Sequence, residues 1–206
     1  PRSTLLGAKL VAKFKIMFEL SDPPNYEPNL ADSLAARAAA AGTTPEALAL
    51  DILLADDGQG MLYVPFANYL DGSLDVVEEM LKHPLTIPGL GDGGAHVGTI
   101  CDGSFSTTLL THWGRDRSYG RIPVEQLIKQ HCQDTAAAVG LRDRGQLLPG
   151  LRADVNVIDF ENLQALRPEI HHDLPAGGRR LLQRATGYVH TICAGQEIYN
   201  NGVATG

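Results

Sequence analysis

Between Met61 and His96 the sequence runs through an order of elements that few architectures accept. Met61–Phe66 is a short apolar run containing Tyr63 and Val64, the pattern of a buried strand. Ser73 follows as the cap of a helix that carries Leu74, Val77 and Leu81 on one side, and Pro84 closes it. Leu85-Thr86-Ile87 opens a second apolar stretch that reaches Leu90. Strand, helix and strand over roughly 30 residues predict a right-handed crossover between parallel strands, and so an α/β fold. The second strand runs straight into Gly91-Asp92-Gly93-Gly94-Ala95-His96. Loops at the carboxyl ends of parallel strands are where ligands bind in such folds.

On either side of this unit the signals change in character. Lys13–Phe18 reads as a strand, and Ser21-Asp22-Pro23-Pro24-Asn25 as a loop, because two prolines remove donors and fix the backbone. The alanine-rich stretch Ser33–Ala41 reads as a helix stopped by Gly42. Thr43 or Thr44 then caps another, with Pro45 in its first turn and Glu46 able to complete a capping box from Thr43. Leu48, Ile52 and Ala55 form its apolar side, and Asp56-Asp57-Gly58 ends it. Pro123 begins a further helix, with Val124, Leu127, Ile128 and Val139 as core positions. From Asp154 onward the texture is β-rich. Val155–Ile158 reads as a strand, Val189–Ala194 and Gln196–Tyr199 as a hairpin around Gly195, and Asn200-Asn201-Gly202 as a turn.

Composition excludes several classes of function. Hydrophobic residues make up 44% and charged residues 20% of the 206, the proportions of a globular chain. Apolar runs fall far short of the ~20 residues a bilayer helix needs, so no membrane association is expected. Seventeen Lys and Arg against 24 Asp and Glu give a net charge of −7, which argues against a nucleic-acid surface. Cys101, Cys132 and Cys193 are far apart and odd in number, which predicts free thiols in a reducing compartment and a cytoplasmic location. The chain begins with Pro1 rather than Met, as a piece of something longer would.

Asp92 is the leading candidate for chemistry. Glycines on both sides leave its carboxylate open to a ligand or metal ion, and permit the backbone a close approach. The same residues also suit a simple tight turn, and spacing alone does not separate the two. His96 is a candidate second ligand or acid/base group, set against the plainer reading of a hydrogen-bonded loop residue. Arg115 and Arg117 are candidates to grip a substrate carboxylate, set against a charge cluster with local pairing. His171-His172 reads as a solvated loop, and His83 as a helix-end residue. The paired-histidine spacings HxH, HExxH and HxxxH, the GxSxG elbow and the Walker pattern do not occur.

Taken together, His83-Pro84 and Gly91–His96 resemble the last barrel strand of the amidohydrolase superfamily, in its D-aminoacylase (N-acyl-D-amino-acid deacylase) branch. Asp134–Ala137 and the run Gly140–Gly145, Leu148–Val155 look like the same branch's passage into its small β domain. Asp173–Gly177 and Gly195–Gly202 fit its closing strands. The resemblance implies the C-terminal part of a (β/α)8, or TIM, barrel in residues 1–145, and part of a small β-sandwich in residues 146–206. It implies zinc, as one or two divalent ions, with Asp92 as both metal ligand and general base. It further implies hydrolysis of an N-acyl amino acid or related amide. Gly91 stands where the branch often has Ser, and the branch's earlier His-x-His and later Cys or Lys and His ligands are not found here. The expectation is therefore a chain inactive by itself, either completed by a missing N-terminal half or self-associating. Two rival readings are a non-catalytic α/β module that completes a site with another polypeptide, and a self-contained ligand-binding domain.

Overall fold

A computed structural model describes residues 13–65, 67–69, 71–91, 98 and 102–206. The chain divides into two compact units, Pro1–Glu79 and Met80–Gly206, with the boundary inside one helix.

In the first unit, a 3-10 turn (Phe14–Ile16) leads into strand β1 (Phe18–Glu19). The expected strand over Lys13–Phe18 is thus mostly a turn. β1 pairs antiparallel with β2 (Leu62–Tyr63), in the register Phe18↔Tyr63 and Glu19↔Leu62. Helix α1 (Leu34–Ala41) starts where the Ser33 hydroxyl accepts from the Ala36 N–H at 3.3 Å, and stops at Gly42, whose φ is +65°. Helix α2 (Pro45–Gly58) is capped by Thr44, which accepts from the Ala47 N–H at 3.2 Å. Asp56 and Asp57 take positive φ and end its regular turns, at the place the sequence marks. Met17, Leu34 and Ile52 form the core, with Phe14, Leu48, Ala49, Leu62 and Val64 packed against them. An aromatic group lies alongside: Phe18 is buried edge-to-face against Tyr69, with centroids 6.0 Å apart. The Tyr69 hydroxyl donates to the Pro28 carbonyl. Helix α3 (Asp75–Lys82) begins where the Glu27 carboxylate accepts from the Leu74 N–H at 2.7 Å.

The segment after α3 corrects the sequence reading. Residues 84–91 contain no strand; Leu85 is 88% exposed, and Ile87 and Leu90 are exposed as well. Pro84 and Pro88 each lack the N–H that a ladder needs, and no described strand lies beside them. With β1 and β2 antiparallel, the expected parallel crossover is not formed among the described residues.

The second unit has a helical half and a β half. A 3-10 turn (Asp102–Ser104) leads into α4 (Phe105–Thr108), which widens into a π-helical stretch at Leu109–Asp116. Helix α5 (Val124–Ile128) likewise passes through a π-helical stretch, Lys129–Asp134, into α6 (Thr135–Ala138). Leu109, Leu110, Trp113, Ile122, Leu127 and Ala136 are buried. Ile128 and Val139, expected in the core, are exposed: Ile128 sits about 100° round the helix from buried Leu127, and Val139 lies past the last helical turn.

The β half contains a four-stranded antiparallel sheet with the order β10-β9-β8-β3. Its strands are β3 (Val155–Ile158), β8 (Tyr188–Cys193), β9 (Gln196–Asn200) and β10 (Val203–Ala204). Ala194-Gly195 and Asn201-Gly202 each have positive φ at both residues, the two-residue turn that matches strand twist. Four further strands lie between β3 and β8 in the chain, as two antiparallel pairs. β4 (Gln164–Ala165) pairs with β7 (Ala185–Thr186), and β5 (Glu169–Leu174) with β6 (Gly178–Leu182). His171 and His172, expected in a loop, therefore lie on β5, where His171 Nε2 meets Glu169 Oε2 at 2.9 Å. No single helix among the described residues is long and apolar enough to cross a membrane.

Candidate functional site

Asp92 and His96, the two residues on which the sequence reading rests most heavily, lie outside the described residues, as does Cys101. The flanks of their loop are described. On the upstream side, the His83 N–H donates to the Met80 carbonyl at 3.2 Å, while His83 Nδ1 accepts from the Leu85 N–H at 3.2 Å. His83-Pro84 thus ends α3 by satisfying donors beyond its last turn, as the sequence suggests for a helix-end histidine. Downstream, Phe105 starts α4 and stacks edge-to-face on His131, with ring centroids 5.3 Å apart.

Arg115 and Arg117 are placed very differently, although only Asp116 separates them. The Arg115 guanidinium donates to both Asp116 oxygens at 2.6 and 3.0 Å. It also donates to the backbone carbonyls of Phe160, Glu161 (3.0 Å) and Leu163 (2.9 Å). The Asp116 contact raises its pKa above the ordinary arginine value. Its donors are thus engaged within the protein, pinning the 160–163 segment to the helical half. Local pairing, one of the two readings open from the sequence, is what the geometry contains. Arg117 is buried with its guanidinium between two rings, 4.8 Å from Trp113 and 4.3 Å from Tyr119. Such sandwiching fixes the side chain through cation–π contact on both faces.

The Gly140–Val155 run has a structural explanation of its own. Gly145 has φ +87°, and a Cβ there would meet the Cys132 carbonyl oxygen at 2.6 Å. Only glycine lets the loop lie this close to the π-helical stretch. Around it, Arg144 pairs with Asp143 at 3.0 Å and Asp154 at 3.4 Å, and Arg152 pairs with Asp154 at 2.9 Å. The Asp154 carboxylate also accepts from the Ala194 N–H at 2.8 Å, which ties the start of β3 to the tip of the β8–β9 hairpin. These contacts hold the Asp143 and Asp154 carboxyls below the usual range, Asp143 chiefly through Arg144 and Asp154 chiefly through that backbone bond.

Two residues that sequence reasoning passed over stand out in the helical half. Gln130 is 9% exposed, and its Nε2 donates to the Leu81 carbonyl at 2.8 Å. The neighbouring His131 ring packs on Phe105, and burial pushes its imidazole below the ordinary value. No sequence motif marks either residue, because their significance lies in partners distant along the chain.

Among the described residues, no three His, Cys, Asp or Glu side chains are grouped so as to hold a metal ion. A catalytic zinc ordinarily takes three protein ligands. The described residues by themselves therefore do not fit a catalytic metal.

The model of the amidohydrolase family matches residues 21–199. The chain belongs to the amidohydrolase family. Among solved structures it is similar to a D-aminoacylase studied for its binuclear metal center, with one-metal activation and second-metal attenuation. The two are 23% identical, with a TM-score of 0.49, and the match covers 92% of this chain and 36% of that one. This amidohydrolase chain thus spans little more than a third of the D-aminoacylase chain it matches. No curated protein matches its sequence.

Proposed function

We propose that this chain is the C-terminal portion of a metal-dependent amidohydrolase of the D-aminoacylase-like branch, which hydrolyses a linear C–N amide bond in an N-acyl amino acid. The observation that carries the reading is the family match over residues 21–199, a span that takes in both the Asp92 loop and the Gly140–Val155 run. In this reading residues 1–145 supply the last barrel βα units, and 146–206 supply the closing strands of a small β-sandwich domain. Asp92 is the general base: its carboxylate takes a proton from the attacking water and returns it to the leaving amine. The same carboxylate is one ligand of a zinc centre whose other ligands come from outside the described residues. His96 contributes to binding the substrate. Arg115 acts through the 160–163 segment that it pins.

The test is an amidase assay with a panel of N-acetyl-D- and N-acetyl-L-amino acids and added zinc, run on this 206-residue chain and on the same protein extended upstream. Turnover is expected in the extended protein, none in the 206-residue chain, and complete loss in extended Asp92→Ala with its circular dichroism unchanged. Activity in Asp92→Ala within a few-fold of the parent would overturn the assignment of the base. An extended protein that hydrolyses no N-acyl amino acid would overturn the reaction class.

A further inference from the structure

We propose that a hollow of about 460 Å³ in the first unit binds a long-chain carboxylate, whose head group lies at Lys13 and Lys15 and whose chain lies in the hollow between them and the starts of α1 and α2.

The hollow forms where three elements meet. The 3-10 turn supplies Phe14 and Ile16, α1 supplies Ala35 from its first turn, and α2 supplies Pro45, its first residue. Ala35 and Pro45 carry short side chains, so the space opposite the turn stays open. Each wall is held by bonds of its own. The Ile16 N–H donates to the Lys13 carbonyl at 2.9 Å and closes the turn, while the Leu34 N–H donates to the Met17 carbonyl at 2.8 Å and ties the turn's exit to the start of α1. Ser33 and Thr44 cap the two helices. Phe14 is also packed against the core of Met17, Leu34 and Ile52. The site is therefore formed in advance, and its volume lies in the range of about 300–1,000 Å³ that small-molecule sites occupy.

Its charge is as specific as its shape. Lys13 and Lys15 are exposed at the edge of the hollow, and neither makes an ion pair among the described residues, although the chain carries a net charge of −7. Cations elsewhere find carboxylates: Arg37 meets Glu19 at 2.8 Å, Lys129 meets Asp134 at 2.6 Å, and Arg180 meets Asp173 at 2.6 Å. Two positive groups on one turn repel each other, and an anion placed between them removes that cost. A lysine stem lies readily on apolar surface while its ammonium stays in water, so the pair extends the apolar wall up to a charged rim. An anionic head on an apolar tail complements both parts. The choice of a carboxylate rests on the function proposed above, because hydrolysis of an N-acyl amino acid releases the acyl group as a carboxylate; the hollow and its charges do not depend on that reading.

Calorimetric titration of the 206-residue chain with sodium laurate, kept below its micelle concentration and at low salt, tests the site without any activity. One laurate should bind per chain, dodecanol at least about tenfold more weakly, and acetate not at all. The double variant Lys13→Ala/Lys15→Ala should weaken laurate about tenfold, as loss of two exposed charge contacts implies, and raised salt should do the same to the parent. Ala35→Leu, which puts a good helix former into the hollow, should abolish binding with an unchanged thermal melt. Leu54→Gln, at an exposed leucine outside the hollow, should leave binding as it was. Equal affinity for laurate and dodecanol, or laurate binding that survives both the double variant and Ala35→Leu, overturns the site. Dodecyl phosphate binding more tightly than laurate overturns the carboxylate assignment. Adsorption to phosphatidylglycerol vesicles without binding of free laurate overturns it in favour of a membrane surface. Specific laurate binding beside an extended protein that hydrolyses no N-acyl amino acid supports the site and overturns the reaction.

Discussion

The β8–β9 hairpin and the segment 84–91 both read as β structure in the sequence, yet only the hairpin forms it. The hairpin carries its own instructions. Ala194-Gly195 sets a turn whose twist brings the two strands together, and the register follows from Cys193↔Gln196 onward. The 84–91 segment has an equally apolar composition, but its prolines remove donors and no described strand offers a partner. An apolar run is thus a necessary sign of a buried strand but not a sufficient one; what decides is whether a ladder is within reach.

The sharpest way to test this contrast is to compare core deletion with deletion at an apolar residue outside the core. Leu163→Ala, at a fully buried position, should lower stability by about 2–5 kcal/mol in denaturant melts. Leu85→Ala should stay within about 0.5 kcal/mol of the parent, because that side chain is already in solvent. A large loss at Leu85 would show that the 84–91 segment packs as the sequence first suggests. The next largest effect concerns turns. Gly145→Ala forces a Cβ into the Cys132 carbonyl at positive φ and should cost several kcal/mol, whereas Gly195→Ala, with open space around it, should cost only about 1 kcal/mol in the same melts.

Charge provides a smaller effect. Asp143, Asp154 and Asp173 have carboxyls held below their ordinary range, Asp143 and Asp173 chiefly by Arg144 and Arg180, Asp154 chiefly by its bond from the Ala194 N–H. An unfolded chain takes up protons first as pH falls, so their stabilisation is present above the usual Asp pKa and is lost as pH drops through the folded values. His131 titrates in the same sense at higher pH. Burial keeps it neutral when folded, so stability should begin to fall once pH goes below the ordinary histidine value. Melting temperature measured from pH 8 to pH 3 should show both declines, and His131→Phe should remove the upper one. The smallest effect belongs to the exposed Arg37–Glu19 pair at 2.8 Å: Arg37→Gln should change stability by about 0–1 kcal/mol, less at high salt.

Much of the local structure was legible from residues alone. Gly42 and Thr44 stop and start helices where their chemistry implies, and Gly195 and Gly202 turn the closing strands. The amidohydrolase relationship was legible too, from the Gly-rich Asp92 loop and the Gly140–Val155 run, and the family match covers both. Roles that depend on distant partners were not. Arg115 and Arg117 looked interchangeable, but one is spent on the carbonyls of residues 160–163 and the other lies buried between Trp113 and Tyr119. The β5–β6 hairpin was hidden because Pro175-Ala176-Gly177 resembles an ordinary loop, and the register shift between His171 and Leu174 breaks the alternation.

What the sequence determined by itself is therefore the local punctuation and the family: caps, stops, two-residue turns and a motif. These depend on backbone preferences and short-range hydrogen bonds that are complete within a few residues. Tertiary structure alone decided which apolar runs became strands, which arginine was buried, and that Gln130 meets the Leu81 carbonyl while His131 meets the Phe105 ring. Those outcomes turn on whether a donor or a ring meets a partner many residues away, and no local pattern records that meeting.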